Sequence, residues 1–208
     1  MYKKPFVIGI AGAVGSGKSW FAEKLKEAIT EPICMFTLDS YSKSVDYVNK
    51  LKYRYDNPNA IDFDRAYSDL RTLLEGGTVR FPVYDYKSHK AISERTNTNP
   101  PVIIIEGLYA FYDKRFLDAM DVKIWIEADE DVCMGRRIHR DIKERGETLE
   151  ESKARHINDS EPAYQKFYKI GRTQADCLFL NTAKDEKPIL LLEMLKCTFI
   201  VYSKEYIS

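Results

Sequence analysis

The chain has 208 residues, and 32 Lys plus Arg balance 32 Asp plus Glu, so its formal charge is zero. That balance argues against a nucleic acid or an acidic membrane surface as partner. The length and an apolar share of 44% fit one globular domain with a sizeable core, and no apolar run approaches the ~20 residues of a membrane span.

The N-terminus, Met1-Tyr2-Lys3-Lys4-Pro5, enters an apolar strand-like run at once, Phe6-Val7-Ile8-Gly9-Ile10. This predicts no signal peptide. The four cysteines, Cys34, Cys133, Cys177 and Cys197, show no C-x-x-C spacing. A reduced, cytoplasmic setting is the expectation, with Cys34 and Cys177 as small buried hydrophobes inside strands.

Next comes Gly12-Ala13-Val14-Gly15-Ser16-Gly17-Lys18-Ser19, which fits the phosphate-loop pattern G-x-x-x-x-G-K-[ST]. Phe21, Ala22, Leu25, Ala28 and Ile29 then recur at helical spacing. Strand, glycine loop and helix form the context the motif requires. Glycines let backbone N–H groups converge on phosphate oxygens, and the helix start adds its unpaired N–H groups and positive dipole end. In this pattern Lys18 reaches the outer phosphates and the Ser19 hydroxyl binds Mg²⁺.

Ile33 to Thr37 reads as a second strand, followed by Leu38-Asp39-Ser40-Tyr41. A carboxylate at the C-terminal end of such a strand lies where α/β sheets bind ligands, so Asp39 is a candidate for chemistry. The plainer reading is an N-cap for the segment that follows. Residues 42–61 are polar and tyrosine-rich, with Tyr47, Tyr53 and Tyr55 before Asp56-Asn57-Pro58-Asn59. They form a binding wall or, more blandly, a tyrosine-stapled surface loop.

Asp62 to Glu75 predicts an amphipathic helix, capped by Asp62 and ended by Gly76-Gly77. Thr78 to His89 predicts an edge hairpin, because Pro82 cannot donate to a central ladder. Pro100-Pro101 then introduces Val102-Ile103-Ile104-Ile105-Glu106-Gly107. The apolar run predicts a strand buried on both faces. Its terminal Glu106 has the place of a Walker-B carboxylate, with Glu for the more usual Asp.

Val122 to Ile126 predicts another core strand and Asp129 to Glu144 a helix. Arg136, Arg137 and Arg140 share a face of that helix, and Arg145-Gly146 follows. Clustered arginines suit phosphoryl transfer, because guanidinium groups stabilise charge spreading over the moving group. On charge alone, a solvated helix face with Asp141, Lys143 and Glu144 as partners is the stronger reading. Helices over Leu149–Ile157, Glu161–Ile170 and Glu186–Lys196 and strands over Ala175–Leu180 and Phe199–Tyr202 complete the pattern. Alternating strands and helices predict a three-layer α/β P-loop NTPase fold with a mostly parallel sheet, a small β-hairpin and a helical lid. One domain is expected over 1–208, with a hairpin insertion at 78–95 and an arginine-rich lid at 131–158.

Taken together, these motifs resemble the uridine kinase branch of the phosphoribulokinase and uridine kinase group. The matching stretches are Gly12 to Ser19, Leu38 to Tyr41, Tyr55 to Ala60, Pro82 to His89, Ile105 to Leu108, Arg136 to Gly146 and Ala175-Asp176. The resemblance implies an ATP-dependent kinase, with GTP as the other donor to weigh, acting on the 5′-hydroxyl of uridine or cytidine. It gives Asp39 the place of the general base and Asp56 that of the carboxylate gripping the ribose. Tyr84 and His89 match residues that address the pyrimidine, with Tyr55 and Tyr86 as aromatic neighbours. Arg137, Arg140 and Arg145 match lid and phosphate-clamp arginines, and Ser19 and Glu106 match the magnesium shell. It also implies a homo-oligomer, dimer or tetramer.

The chain departs from the family pattern at four places. Ser42 stands where a second Tyr is common, Glu147 where Arg follows the lid's Arg-Gly, and Arg155 where Gln is common. Gly171-Arg172-Thr173 replaces a Pro-Thr-Lys segment. A different nucleoside, a pantothenate-like hydroxyl substrate, or a non-kinase nucleotide switch are the alternatives. The chain carries no Asn-Lys-x-Asp guanine motif to favour the switch.

Overall fold

A computed structural model describes residues 4–44, 56–85 and 90–181, and for residues 84, 85, 90 and 91 the backbone alone. Tyr47, Tyr53, Tyr55, Tyr86, His89, Cys197, the helix expected at 186–196 and the strand expected at 199–202 lie outside the described residues.

Five parallel strands form the central sheet: β1 (Phe6–Gly12), β2 (Ile33–Thr37), β5 (Val102–Glu106), β6 (Val122–Glu127) and β7 (Cys177–Leu180). Their order is β2-β5-β1-β6-β7. The chain therefore leaves β1 toward one edge and later returns to the other side of it, past β5. In open α/β sheets the crevice at such a switch point, outside the carboxyl ends of the strands, is where ligands bind.

Both faces of the sheet are buried. Phe6, Ile8, Ile10, Ile104 and Ile124 pack with Phe21, Ala22 and Leu25 of α1 (Lys18–Ala28). Val7, Ala11, Phe36, Ile103 and Ile105 point the other way. They meet Leu70 and Leu73 of α2 (Phe63–Leu74) and Phe116 of α3 (Lys114–Ala119). This is the three-layer α/β architecture expected. The short helix α3 was not expected; its six residues are too few to establish a periodic stripe.

The hairpin is a separate two-stranded antiparallel sheet, β3 (Thr78–Asp85) with β4 (Lys90–Thr98). Val79 and Phe81 tie it to the core, and Phe81 meets Phe36 edge-on at 5.4 Å. Asp62 caps α2 by accepting from the Arg65 N–H at 3.1 Å, as its sequence position suggested.

Helix α4 (Glu130–Arg145) ends at Gly146, whose φ of +75° gives the left-handed turn that stops it. From Leu149 the backbone does not form two helices. It runs helically to Gln174: α5 (Leu149–Arg155), a π turn (His156–Ser160), one α turn (Glu161–Ala163), a second π turn (Tyr164–Tyr168) and a 3₁₀ end (Lys169–Gln174). Pro162 accounts for the first π turn. It lacks an N–H and would crowd the carbonyl four residues back, and wider turns accommodate it without a break.

Two further expectations change. Cys34 is buried, but Cys177 is only half-buried, because β7 is the last strand of the sheet. Asp39 sits inside a 3₁₀ turn, Leu38–Tyr41, with Thr37 at the cap position.

Candidate active site

The loop after β1 has its shape fixed from outside. Gly15 (φ +81°) and Gly17 (φ +97°) occupy left-handed backbone. A Cβ on Gly15 would stand 2.1 Å from the Cys133 carbonyl of α4, and one on Gly17 2.2 Å from the Asn181 side chain. Asn181 donates to the Ser16 carbonyl at 2.7 Å, and Lys18 Nζ donates to the Ala13 carbonyl at 2.8 Å. Gly12, Ala13, Val14, Gly15, Ser16 and Gly17 thus form one tight arch closed by Lys18 and Ser19. Two donors remain unspent. Ser16 Oγ and Arg136 Nη1 are buried without a hydrogen-bond partner among the described residues, and Arg136 Nη1 lies 3.9 Å from the Gly17 Cβ position. Unpaired donors around an arch of backbone N–H groups at a helix start fit a polyphosphate.

A carboxylate pair stands beside the arch. The sheet register sets Thr37, Glu106 and Ile10 level with one another, so β5 ends at the mouth of the loop. Glu106 is buried, and Ser19 Oγ donates to its Oε2 at 3.1 Å. Burial, then the neighbouring charge of Asp39, pushes the Glu106 carboxyl up to about 7, while Lys18 and the Ser19 and Thr37 hydroxyls pull against them. Burial lowers the Lys18 ammonium, opposed by the negative charges of Glu106 and Asp39, and Arg140 lowers it further. Lys18, Glu106, Asp39 and Arg140 therefore share one electrostatic neighbourhood at the carboxyl edge of the sheet. A hydroxyl and a buried carboxylate side by side suit Mg²⁺, a hard cation that takes oxygen ligands and carries its own waters.

A second cluster stands on α4 and the helical track. Asp141 is fully buried and is the hub for Arg137 (3.2 Å), Arg140 (3.1 Å) and Arg145 (3.1 Å), with Ser152 donating at 3.2 Å. These arginines hold its carboxyl below the usual range against its burial. Arg137 is 3% exposed, so it does not belong to a solvated helix face. Its Nη2 stands 3.7 Å from Asp56 Oδ2, and Ser160 bonds both Arg137 and Asp56. Tyr109 is 2% exposed and its hydroxyl has no partner among the described residues. Burial raises its phenol, followed by the charge of Asp56, and Asp39 contributes as well. Tyr109 thus lies within electrostatic reach of both aspartates.

The fold therefore brings Lys18, Ser19, Asp39, Glu106 and Arg140 together, and links Asp56, Arg137 and Arg145 through Asp141 and Ser160. Tyr55, Tyr86 and His89 lie outside the described residues, as does the Tyr84 side chain. Sequence reasoning gave no role to Asp141 as a hub, nor to Ser160, Tyr109, Thr37 or Asn181. An acid four residues after Arg137 was visible, but only as a surface partner; its burial has no sequence signature. The two departures Glu147 and Arg155 pair with each other at 2.5 Å.

Comparison with known proteins gives the family and the fold. The profile of the phosphoribulokinase / uridine kinase family matches residues 7–186. A uridine kinase of Clostridium perfringens is 35% identical over 181 residues, covering 85% of this chain and 87% of that protein. The uridine kinase of Saccharomyces cerevisiae is 33% identical over 212 residues, covering 98% of this chain but only 42% of the yeast protein. Among solved structures, phosphoribulokinase from Rhodobacter spheroides superposes with a TM-score of 0.67 at 16% identity, over 89% of this chain and 74% of that one. D-glycerate 3-kinase from Cryptococcus neoformans gives 0.66 at 16% identity, over 86% of each chain. These structures share the fold. The chain is a member of the phosphoribulokinase / uridine kinase family of P-loop kinases.

Proposed function

We propose that the protein transfers the γ-phosphoryl group of ATP to the 5′-hydroxyl of a pyrimidine nucleoside, uridine or cytidine. The observation that carries this reading is the grouping of Asp39, Glu106 and Lys18 beside the loop, with Asp56 held by Arg137 and Ser160. One acid serves the reacting hydroxyl and the other grips the sugar. The curated relatives named uridine kinase support the choice of acceptor.

In this mechanism the arch from Gly12 to Ser19 holds the triphosphate by its backbone N–H groups, with Lys18 on the outer phosphates. Ser19 and Glu106 would hold Mg²⁺, which would neutralise charge on the phosphate oxygens. Asp39 orients the acceptor hydroxyl and takes its proton as the new O–P bond forms and the bond to the departing ADP breaks. Arg140 and Arg145, fixed in direction by Asp141, face charge developing on the moving group. The arginine-rich lid, residues 131–158, excludes water that would compete as nucleophile. Positioning and electrostatics supply nearly all of the catalysis.

The Glu147–Arg155 pair favours keeping a second acceptor in view, another nucleoside or a pantothenate-like hydroxyl compound. It sets two charges where the family resemblance expects Arg and Gln. Incubating the full chain with ATP and Mg²⁺ across a panel of nucleosides and pantothenate, with the phosphorylated product identified, decides between them. Uridine or cytidine 5′-monophosphate as the main product supports the first reading. Another product supports the second, and hydrolysis indifferent to acceptor sinks both.

A further inference from the structure

Glu130, His156 and Glu161, none of them assigned to the phosphate loop or the sugar, bring one ligand atom each to within 4.8 Å of one another. Glu130 stands in the first turn of α4. His156 opens the π turn, and the Glu161 N–H closes it by donating to the His156 carbonyl. Residues five apart diverge around an α-helix, whereas an i→i+5 turn stacks them on one face. The widened turn is therefore what aligns His156 with Glu161.

His156 is 7% exposed, and its Nδ1 is buried with no hydrogen-bond partner among the described residues. A buried ring nitrogen left unpaired lowers stability unless an occupant takes it up. Gln165 donates to Glu161 Oε1 at 2.7 Å, which fixes that carboxylate and leaves its other oxygen for a further partner.

We propose that Glu130, His156 and Glu161 bind a divalent first-row transition cation, Zn²⁺ foremost, as a structural clamp separate from the Ser19–Glu106 site. One imidazole nitrogen and two carboxylate oxygens suit such an ion, whereas Mg²⁺ prefers oxygen ligands and retained waters. Ligand atoms ~2.0–2.2 Å from one ion stand at most about 4.4 Å apart. The 4.8 Å bound on the three atoms lies near that limit, and the Glu130 side chain is exposed. The ion would tie the base of the arginine-bearing helix α4 to the track that supplies Ser160 to Asp56.

The test is calorimetric titration of ZnCl₂ into the full, nucleotide-free chain in excess Mg²⁺, paired with thermal unfolding. One ion per chain and a higher Tm with zinc are expected. Glu130→Gln alters a surface residue, so it tests the site without endangering the fold, and Glu161→Gln keeps a partner for Gln165. Each should weaken zinc binding at least about tenfold, while Cys133→Ser and Cys177→Ser leave it unchanged. Absence of zinc binding overturns the proposal. So does undiminished affinity in both glutamine variants, or loss of binding in a cysteine variant.

Discussion

Arg137 of α4 directs Nη2 to within 3.7 Å of the Asp56 carboxylate while its Nε holds Asp141 at 3.2 Å. One buried guanidinium thus joins the acid assigned to the sugar with the acid that aims the other arginines. Removing it takes one of three arginines from the buried Asp141 and leaves Asp56 its Ser160 bond. Arg137→Ala should lower stability by about 1–3 kcal/mol, the usual cost of taking a hydrogen-bond partner from a buried polar group. Denaturant unfolding at neutral pH measures it. Asp56→Asn keeps a hydrogen-bonding group for Ser160 and should unfold near the wild-type midpoint. Its KM for the nucleoside should rise while its KM for ATP stays put. A rise in both would detach Asp56 from the acceptor.

Asp39 is the residue on which the chemistry is staked. Asp39→Asn should lower kcat by about 10²–10⁴, the usual contribution of a positioned base, with ATP affinity retained. Nucleotide binding by fluorescence and turnover by coupled assay give the two numbers. Full turnover in the Asn variant would remove the base assignment.

The sheet and the phosphate arch could be read from the chain because their signals are local. The apolar run from Phe6 to Ile10, four consecutive apolar residues before Glu106, and the spacing of Gly12, Gly17 and Lys18 each carry their own explanation. The second cluster could not be read this way. Asp141 looks like any acid on a charged helix, and only the packing of α5 and the π turn around it decides that it is buried. Ser160 and Tyr109 reach the site through contacts distant in sequence. The π turns were equally hidden: Glu161-Pro162 resembles a fresh helix start, and the sequence does not record that the helix before it continues.

Glu106 carries a pH signature. Its carboxyl titrates near 7 in the folded chain against 4.5 for the ordinary side chain, chiefly through burial. Between those values the folded state binds the extra proton, so stability falls as pH rises from about 4.5 to about 7, by on the order of 3 kcal/mol. Glu106→Gln is neutral at every pH and removes that slope. In EDTA and without nucleotide, the Tm of the Gln variant should exceed wild type by a margin that widens from pH 5 to pH 8. The same variant should lose Mg²⁺-dependent turnover. A constant margin would mean that Glu106 is already ionised at pH 5.

Tyr109 offers the cleanest separation of fold from function. Its ring is locked in place, edge-on to Tyr168 at 5.6 Å and to Tyr112 at 5.9 Å, so deleting the hydroxyl leaves the packing intact. That hydroxyl is buried and unpaired, which makes it a stability cost rather than a gain. Tyr109→Phe should therefore unfold at the same temperature as wild type or higher. Its reach to Asp56 and Asp39 gives the hydroxyl a use once an acceptor lies between them, as a donor to a sugar oxygen. The Phe variant should then show a raised KM for the nucleoside, with KM for ATP unchanged. Asp56→Asn and Tyr109→Phe should be non-additive in that KM, because both act on the same sugar. Loss of stability in Tyr109→Phe would instead mean that the hydroxyl has a partner within the fold.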